Sequence, residues 1–190
     1  MRVCTWDRAG LFSSIAGCLS AVGLNILSAQ IFTRSDGIVL DVFSVTDGKT
    51  GSLADQEQME KFDRLLTRVL KSDEVDLDAM IARQKQARTL YQAYTGAQIE
   101  TQITLDNKSS ANRSLIEVET EDRIGLLFKL SERLTDLELN VSAARICTEK
   151  GGAVDTFYVT DREGEKITSY ERWQKIERAL VNVIHKLDPR

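Results

Sequence analysis

Apolar residues recur every three or four positions in two stretches of the chain, and the same pentapeptide pattern, Asp-Arg-x-Gly-Leu, opens both. The apolar positions are Leu11, Phe12, Ile15, Leu19 and Val22 in the first stretch and Leu126, Leu127, Leu130, Leu134 and Leu137 in the second. This spacing predicts an amphipathic helix in each stretch. We interpret both stripes as core-facing, because a regular leucine-rich stripe is far more often core than a cofactor site.

The likeness between the two stretches extends well beyond the helices. With a shift of 115 positions, identical residues fall on Asp7, Arg8, Gly10, Leu11, Leu19, Leu24, Asn25, Ala29, Ile31 and Thr33. After a turn the shift becomes 114, and identical residues then fall on Gly37, Asp41, Phe43, Val45, Thr46 and Asp47. A repeat of this length predicts two copies of one small domain, so the function is expected to come from that unit and from the pairing of two units.

Alternating β-forming residues predict the remaining elements of the first copy. Strands are expected at 2–6, 25–34 and 39–47, with a hairpin turn at 35–37. Asn25, Ala29, Ile31 and Thr33 are all odd-numbered, so we expect them on one face of their strand. The strand 39–47 is apolar on both faces, which predicts that helices cover one face and the other copy covers the second.

The middle of the chain predicts two further helices and a strand. The helices are expected at 59–70 and from Leu77 to Tyr94 with Tyr91 on its face, ended by Gly96, and the strand at 99–105. We expect this strand to complete the first unit, which would then span residues 1–106 with a helical insertion at about 73–96.

The second unit is expected to span residues 113–190. Its predicted elements are strands at 115–121, 140–149 and 153–161 and a closing helix at 170–187. This unit is one strand short, unless residues 165–168 or the strand 99–105 take the empty place.

Composition narrows the classes of function. The 190 residues are 42% apolar and 28% charged, with a net charge of -4, so nucleic acid is not an expected partner. No apolar run is long enough to span a membrane, and we predict a cytoplasmic protein without membrane contact. Cys4, Cys18 and Cys147 are interpreted as buried thiols of a reducing cytosol. With His185 as the one histidine, neither a metal site nor a histidine acid–base pair is expected.

A strand, an Asp-Arg-x-Gly-Leu helix start and an Asn at the next strand together resemble the ACT domain family. That resemblance implies an α+β fold of two ferredoxin-like βαββαβ units, with antiparallel sheets and helices on one face. More narrowly, the chain resembles the tandem C-terminal ACT pair of the bifunctional uridylyltransferase/uridylyl-removing family, which modifies the PII signal protein. The narrower resemblance is carried by Trp6-Asp7-Arg8-Ala9-Gly10-Leu11-Phe12, Ala29-Gln30-Ile31-Phe32-Thr33, Val39-Leu40-Asp41-Val42-Phe43, Glu121-Asp122-Arg123-Ile124-Gly125-Leu126-Leu127 and Asp155-Thr156-Phe157.

The resemblance implies a regulatory module without catalytic residues or cofactor. Its expected partners are an amino acid, first of all glutamine, the catalytic domains of a parent enzyme, and PII; a homodimer is a further expectation. Two alternatives stay open, a free-standing ACT protein that binds another small molecule and a structural pairing module without ligand. The family's proline is replaced by Ala9 and Ile124, which loosens the loop and restores a backbone donor.

The resemblance implies that the ligand site consists of Asp7, Gly10, Leu11, Asn25, Asp122, Gly125, Leu126 and Asn140. Free amides at the helix start suit a carboxylate, an aspartate can meet an ammonium, and an asparagine can pair with a side-chain amide.

Each of these site residues also has a purely structural interpretation. Asp7 and Asp122 are predicted helix N-caps, the glycines can serve helix–strand packing, and the asparagines can stabilise turns. Asp41 and Asp155 are expected to be surface or edge carboxylates, and His185 a surface residue.

Overall fold

A computed structural model describes residues 1–71, 74–88, 99–149 and 152–187 of the chain. The strands are β1 (Arg2–Trp6), β2 (Leu24–Gln30), β3 (Ile38–Asp47), β4 (Gln102–Asp106), β5 (Ser114–Glu121), β6 (Asn140–Glu149) and β7 (Gly152–Thr160). The helices are α1 (Leu11–Ala21), α2 (Gln56–Leu70), α3 (Leu77–Arg88), α4 (Leu126–Asp136) and α5 (Tyr170–Lys186). The predicted helical positions Tyr91 and Tyr94 and the predicted helix end at Gly96 lie outside the described residues.

All strands belong to one antiparallel sheet with the order β1-β3-β2-β6-β7-β5-β4. The two repeats meet at its centre, where β2 pairs with β6 through Ser28 opposite Cys147 and Gln30 opposite Arg145. The order β1-β3-β2 on one side mirrors β5-β7-β6 on the other, so the repeats are related by an approximate twofold axis. The predicted α+β class, with ferredoxin-like units and helices on one face, is confirmed.

The fourth strand of the second unit comes from the segment that precedes that unit. β4 pairs with β5, with Gln102 opposite Glu119 and Asp106 opposite Leu115. The expectation that this strand completes the first unit is therefore wrong, and the alternative that it fills the empty place in the second unit is confirmed. A short hairpin joins β4 to β5, so closing this pair costs less chain entropy than pairing with the distant β1.

The predicted cover on both faces of the strand 39–47 is wrong. Helices bury Val39 and Phe43, but Leu40 is 43% exposed and Val42 is 39% exposed on the opposite face. The repeats join edge to edge through the β2–β6 pair and do not stack face to face. The apolar pattern of a strand indicates which of its faces can be buried. It does not indicate which neighbouring strand pairs with each edge of that strand.

A β-bulge changes which residues of β2 face the helices. The register of β2 against β3 shifts between Ile26 and Ser28, and Leu24 and Ile26 are buried before the shift while Ala29 is buried after it. Asn25 therefore does not share a face with Ala29, contrary to the expectation from odd numbering. The extra residue in a bulge reverses the alternation of side chains. The same shift occurs in β6 between Val141 and Ala143.

The helices of both units form one shared core over the sheet. Phe12 of α1 stacks on Phe43 at 6.4 Å between ring centroids and meets Phe157 of the other unit edge-on at 6.5 Å. Cys18 is buried, whereas Cys4 and Cys147 are exposed, so the expectation of three buried thiols is wrong for two of them. Both exposed cysteines lie on the open side of the sheet strands. His185 is exposed, as predicted.

Within the described residues, no helix is long and apolar enough to cross a membrane.

Candidate ligand-binding site

The two Asp-Arg-x-Gly-Leu loops lead into their helices through a glycine with left-handed backbone. Gly10 caps α1 with φ 72°, and Gly125 caps α4 with φ 81°. The prediction that Asp7 and Asp122 are the N-caps is wrong, because neither helix start receives a side-chain cap. The amides of Leu11 and Leu126 already donate to the carbonyl oxygens of Arg8 and Arg123 at 3.1 Å and 2.9 Å. The next two amides of each first turn have no acceptor among the described residues and are left for a ligand.

The loop of the first unit faces a cavity between the two units, which we call the open pocket. One wall is residues 7–13, and the opposite wall is the end of α4 with residues 138–142 of the second unit. The sheet contributes Val39 and Asp41 to the pocket lining. Its cavity volume is about 500 Å³. A pocket of this size is ordinary for a small-molecule site.

The loop of the second unit faces the symmetry-related cavity, which we call the filled pocket. Residues 122–127 form one wall, the start of β2 with Asn25 forms the opposite wall, and Asp155 lies at the sheet. Its cavity volume is only about 40 Å³, room for roughly three waters. The two pockets are thus built alike but differ about tenfold in free volume.

Helix α3 accounts for the difference between the pockets. Ile81 of α3 is 4% exposed, and its Cγ2 lies 3.0 Å from where a Cβ on Gly125 would sit. Gln84 lines the filled pocket and donates from Nε2 to the carbonyl oxygen of Ala21 at 3.1 Å. The first unit's loop has no corresponding helix over it among the described residues, so the open pocket stays accessible.

The structure distributes the predicted site residues over both pockets. Those in the open pocket are Asp7, Gly10, Leu11 and Asn140, and those in the filled pocket are Asp122, Gly125, Leu126 and Asn25. Each pocket therefore combines the loop of one unit with the asparagine of the other unit.

The two asparagines differ in exposure and in their contacts. Asn140 is exposed and donates from Nδ2 to the carbonyl oxygen of Asp161 at 3.0 Å, which leaves its Oδ1 as an acceptor. Asn25 is half-buried.

Two buried carboxylates line the pockets and contradict the expectation that they are surface groups. Asp41 is 1% exposed in the open pocket, and Asp155 is 2% exposed in the filled pocket. Burial raises the pKa of Asp41 to about 6 and that of Asp155 to about 7. The charges of Asp7 and Asp122, respectively, contribute to these increases in pKa. Asp41 Oδ2 and Asp155 Oδ1 have no hydrogen-bond partner within the described residues.

A sequence signal for these carboxylates existed. Asp41 alternates with Val39 and Phe43, which share one apolar face of the strand, and it is identical in both repeats. A strand position between two core residues of the same face is itself a core position, whatever its chemistry. The general preference of aspartate for the surface was the weaker argument.

Cationic side chains near the open pocket are engaged with other groups. Arg8 donates from Nη1 to the carbonyl oxygen of Leu70 at 2.7 Å, and Arg162 forms an ion pair with Glu138 at 2.8 Å. Besides Glu138, which is paired with Arg162, the pocket presents the carboxylates of Asp7 and Asp41 beside the amides of a helix N-terminus. This arrangement can receive a molecule that carries both a cationic and an anionic group.

Residues 109–186 match the family model described as the ACR family N-terminal ACT domain. The second unit is thus similar to an ACT domain along nearly its whole length. The ACT fold is the ferredoxin-like unit expected from the repeat, and the approximate twofold axis gives the first unit the same arrangement of β1, α1, β2 and β3.

The chain is similar along most of its length to much larger proteins. It is 33% identical over 94% of its length to the bifunctional uridylyltransferase/uridylyl-removing enzyme of Azospirillum brasilense, of which it covers 19%. It is 34% identical over 99% of its length to the enzyme of the same name from Rhodospirillum rubrum, of which it covers 20%. The chain thus spans about a fifth of the length of the curated relatives it matches.

A solved structure supports the fold across both units. The crystal structure of aspartate kinase from Synechocystis aligns with 98% of the chain and 26% of its own, with a TM-score of 0.50 and 14% identity. At this identity the likeness shows the fold alone.

Proposed function

We propose that this chain is the amino-acid-sensing module of an enzyme that adds and removes uridylyl groups on the PII protein, with glutamine as the ligand. In this proposal the tandem ACT domains form the C-terminal regulatory part of a longer cytoplasmic protein, and catalysis belongs to other domains. The similarity to two uridylyltransferase/uridylyl-removing enzymes over nearly the whole chain supports this assignment.

The observation that carries the proposal is the composite construction of the pockets. The open pocket takes its helix N-terminus and Asp7 from one ACT unit and Asn140 from the other. A ligand there contacts both units at once, so binding strengthens one arrangement of the pair over others. A ligand can regulate an enzyme only through such a difference in affinity between two states.

The groups in the open pocket match the functional groups of glutamine. The first-turn amides of α1 offer donors and a partial positive charge to the α-carboxylate. Asp7 supplies negative charge near the α-ammonium, and Asn140 Oδ1 can accept from the side-chain amide. Asp122 and Asn25 are the equivalent groups in the filled pocket.

A thermal-unfolding screen of the purified chain against a panel of amino acids tests the proposal. Ligand at a hundredfold excess over Kd stabilises the folded state by about 2.7 kcal/mol, so glutamine should raise the Tm by several degrees. The double variant Asn25→Ala/Asn140→Ala should lose the shift. The unliganded Tm should change little, since both side chains are partly exposed at strand starts.

A flat response to the whole panel contradicts the sensing role. It would favour a structural pairing module, for which the β2–β6 pairing at the centre of the sheet is the specific observation. A shift with another amino acid only would keep the sensing role and change the ligand.

A further inference from the structure

We infer that Asp41 is the residue that binds the ammonium group of the ligand in the open pocket, and so selects amino acids over otherwise identical carboxylic acids. This inference rests on the proposed amino-acid ligand and deepens it. The observation behind it is a buried carboxylate that lines a cavity and has one oxygen without a hydrogen-bond partner among the described residues.

The hydrogen bonding of Asp41 is incomplete for a buried charged group. Its Oδ1 accepts from the amide of Phe32 at 3.3 Å, and its Oδ2 has no partner among the residues that the structure describes. Buried carboxylates in folded proteins are normally paired with a cation or with several donors. A partner from outside the chain would remove this cost, and Asp41 belongs to the lining of the adjoining cavity of about 500 Å³.

Within the part of the chain that the structure describes, no cationic side chain pairs with Asp41. The two arginines that line the open pocket are committed elsewhere, Arg8 to the Leu70 carbonyl oxygen and Arg162 to Glu138. Asp7 adds a second negative charge close enough to raise the pKa of Asp41. A ligand cation would be attracted by both carboxylates. Binding it would favour the ionised form of Asp41 and lower its pKa, opposite to the effect of burial.

The geometry also favours a compact cation with an anion close behind it. The first-turn amides of α1 and Asp41 line the same pocket, so one small molecule can reach an anion site and a cation site together. An α-amino acid has this arrangement, whereas a dicarboxylic acid or a des-amino acid lacks the cation.

Asp155 provides a matched control within the same chain. It occupies the symmetry-related position, is equally buried and has an oxygen without a partner among the described residues. Its pocket, however, has a cavity volume of only about 40 Å³, because Gln84 of α3 lines it and Ile81 of α3 packs on Gly125. Replacing either aspartate by asparagine keeps the shape of the side chain and removes the charge. Both variants therefore lose the same charged group, but only Asp41→Asn loses it in the open pocket, which has room for a ligand.

The experiment is titration calorimetry at pH 7.5 on the wild type, Asp41→Asn and Asp155→Asn. The probes are L-glutamine and glutaramic acid, which is glutamine without its α-amino group. In the wild type, glutamine should bind roughly tenfold or more tightly than glutaramic acid, because a hydrogen bond to a charged group is lost in the analogue. In Asp41→Asn this preference should disappear through weaker glutamine binding, and in Asp155→Asn it should persist.

Two results overturn the inference. One is a wild type that binds both probes equally, which needs no variant and so cannot be blamed on misfolding. The other is an Asp41→Asn variant that keeps the preference for glutamine, or an Asp155→Asn variant that alone loses it. If the wild type binds no amino acid at all, both the proposed sensing role and this inference are contradicted. If the wild type binds and Asp41→Asn is unaffected, only the assignment of Asp41 falls.

Discussion

Removing the charge of the second buried carboxylate should make the unliganded protein more stable at neutral pH. The perturbation is Asp155→Asn, which keeps the side-chain volume in a site that is 2% exposed. Desolvation by burial raises the pKa of Asp155 from 3.8 to about 7, and the neighbouring charge of Asp122 adds to the increase. The ionised carboxyl is therefore less favourable in the folded state than in the unfolded state.

The size and sign of the effect follow from that shift. A difference of about three pKa units, at 1.36 kcal/mol per unit, lowers the free energy of unfolding by about 4 kcal/mol once the pH exceeds the folded pKa. Because the folded pKa is the higher one, this stability is fully present below about pH 4 and is lost as the pH rises to about 7. Asparagine does not ionise, so the variant does not lose this stability as the pH rises. Burying its side-chain amide without partners lowers the free energy of unfolding by about 1–3 kcal/mol. The expected net gain above pH 7 is about 1–3 kcal/mol.

Urea unfolding of the wild type and of Asp155→Asn between pH 4 and pH 8 measures the difference. The variant should be the less stable protein at pH 4 and the more stable one at pH 8, with the curves crossing between these values. Asp41→Asn should behave in the same way with a smaller amplitude, because the pKa of Asp41 is raised only to about 6. Parallel pH profiles for wild type and variant would refute the reasoning, since they would mean that Asp155 has the same pKa in both states.

Three further changes test particular contacts. Asp55→Ala removes the capping box that Asp55 forms with Gln58 at the start of α2. Urea unfolding should show that this variant lowers the free energy of unfolding by about 1 kcal/mol. Asp7 caps no helix, so Asp7→Ala should leave the free energy of unfolding unchanged. Gly125→Ala forces a side chain onto a backbone with φ 81° against Ile81, and should cost about 1–3 kcal/mol by the same measurement. A fragment of residues 99–190 should melt at a higher temperature than one of residues 113–190, because only the former keeps β4 on the edge of β5. Equal melting of the two fragments would contradict the structural role given to β4.

The sequence was sufficient for most features that depend on neighbours along the chain, although the predicted N-caps Asp7 and Asp122 were wrong. The repeat, the stripes of α1 and α4, the turn at Gly37 and the ends of most strands depend on local spacing and backbone preference, and each was predicted within a few residues. The α+β class followed because two such units allow few other arrangements. The eight candidate site residues could also be chosen from the repeat, since a loop with free amides is recognisable locally. Their role in ligand binding stays a prediction.

Only the tertiary structure decided how those residues are combined. The β2–β6 pairing places Asn140 opposite the loop of Asp7, and no local pattern encodes which strand edges meet. Because of the bulge in β2, Asn25 and Ala29 lie on opposite faces of that strand. The hairpin between β4 and β5 makes β4 the edge strand of the second unit. Burial of Asp41 and the filling of one pocket by Ile81 arise from packing between segments that are distant in sequence. Local spacing determines the helices and strands because their hydrogen bonds and side-chain faces depend on residues close in sequence. The pockets depend on contacts between residues far apart in sequence, which form only when all the elements pack together.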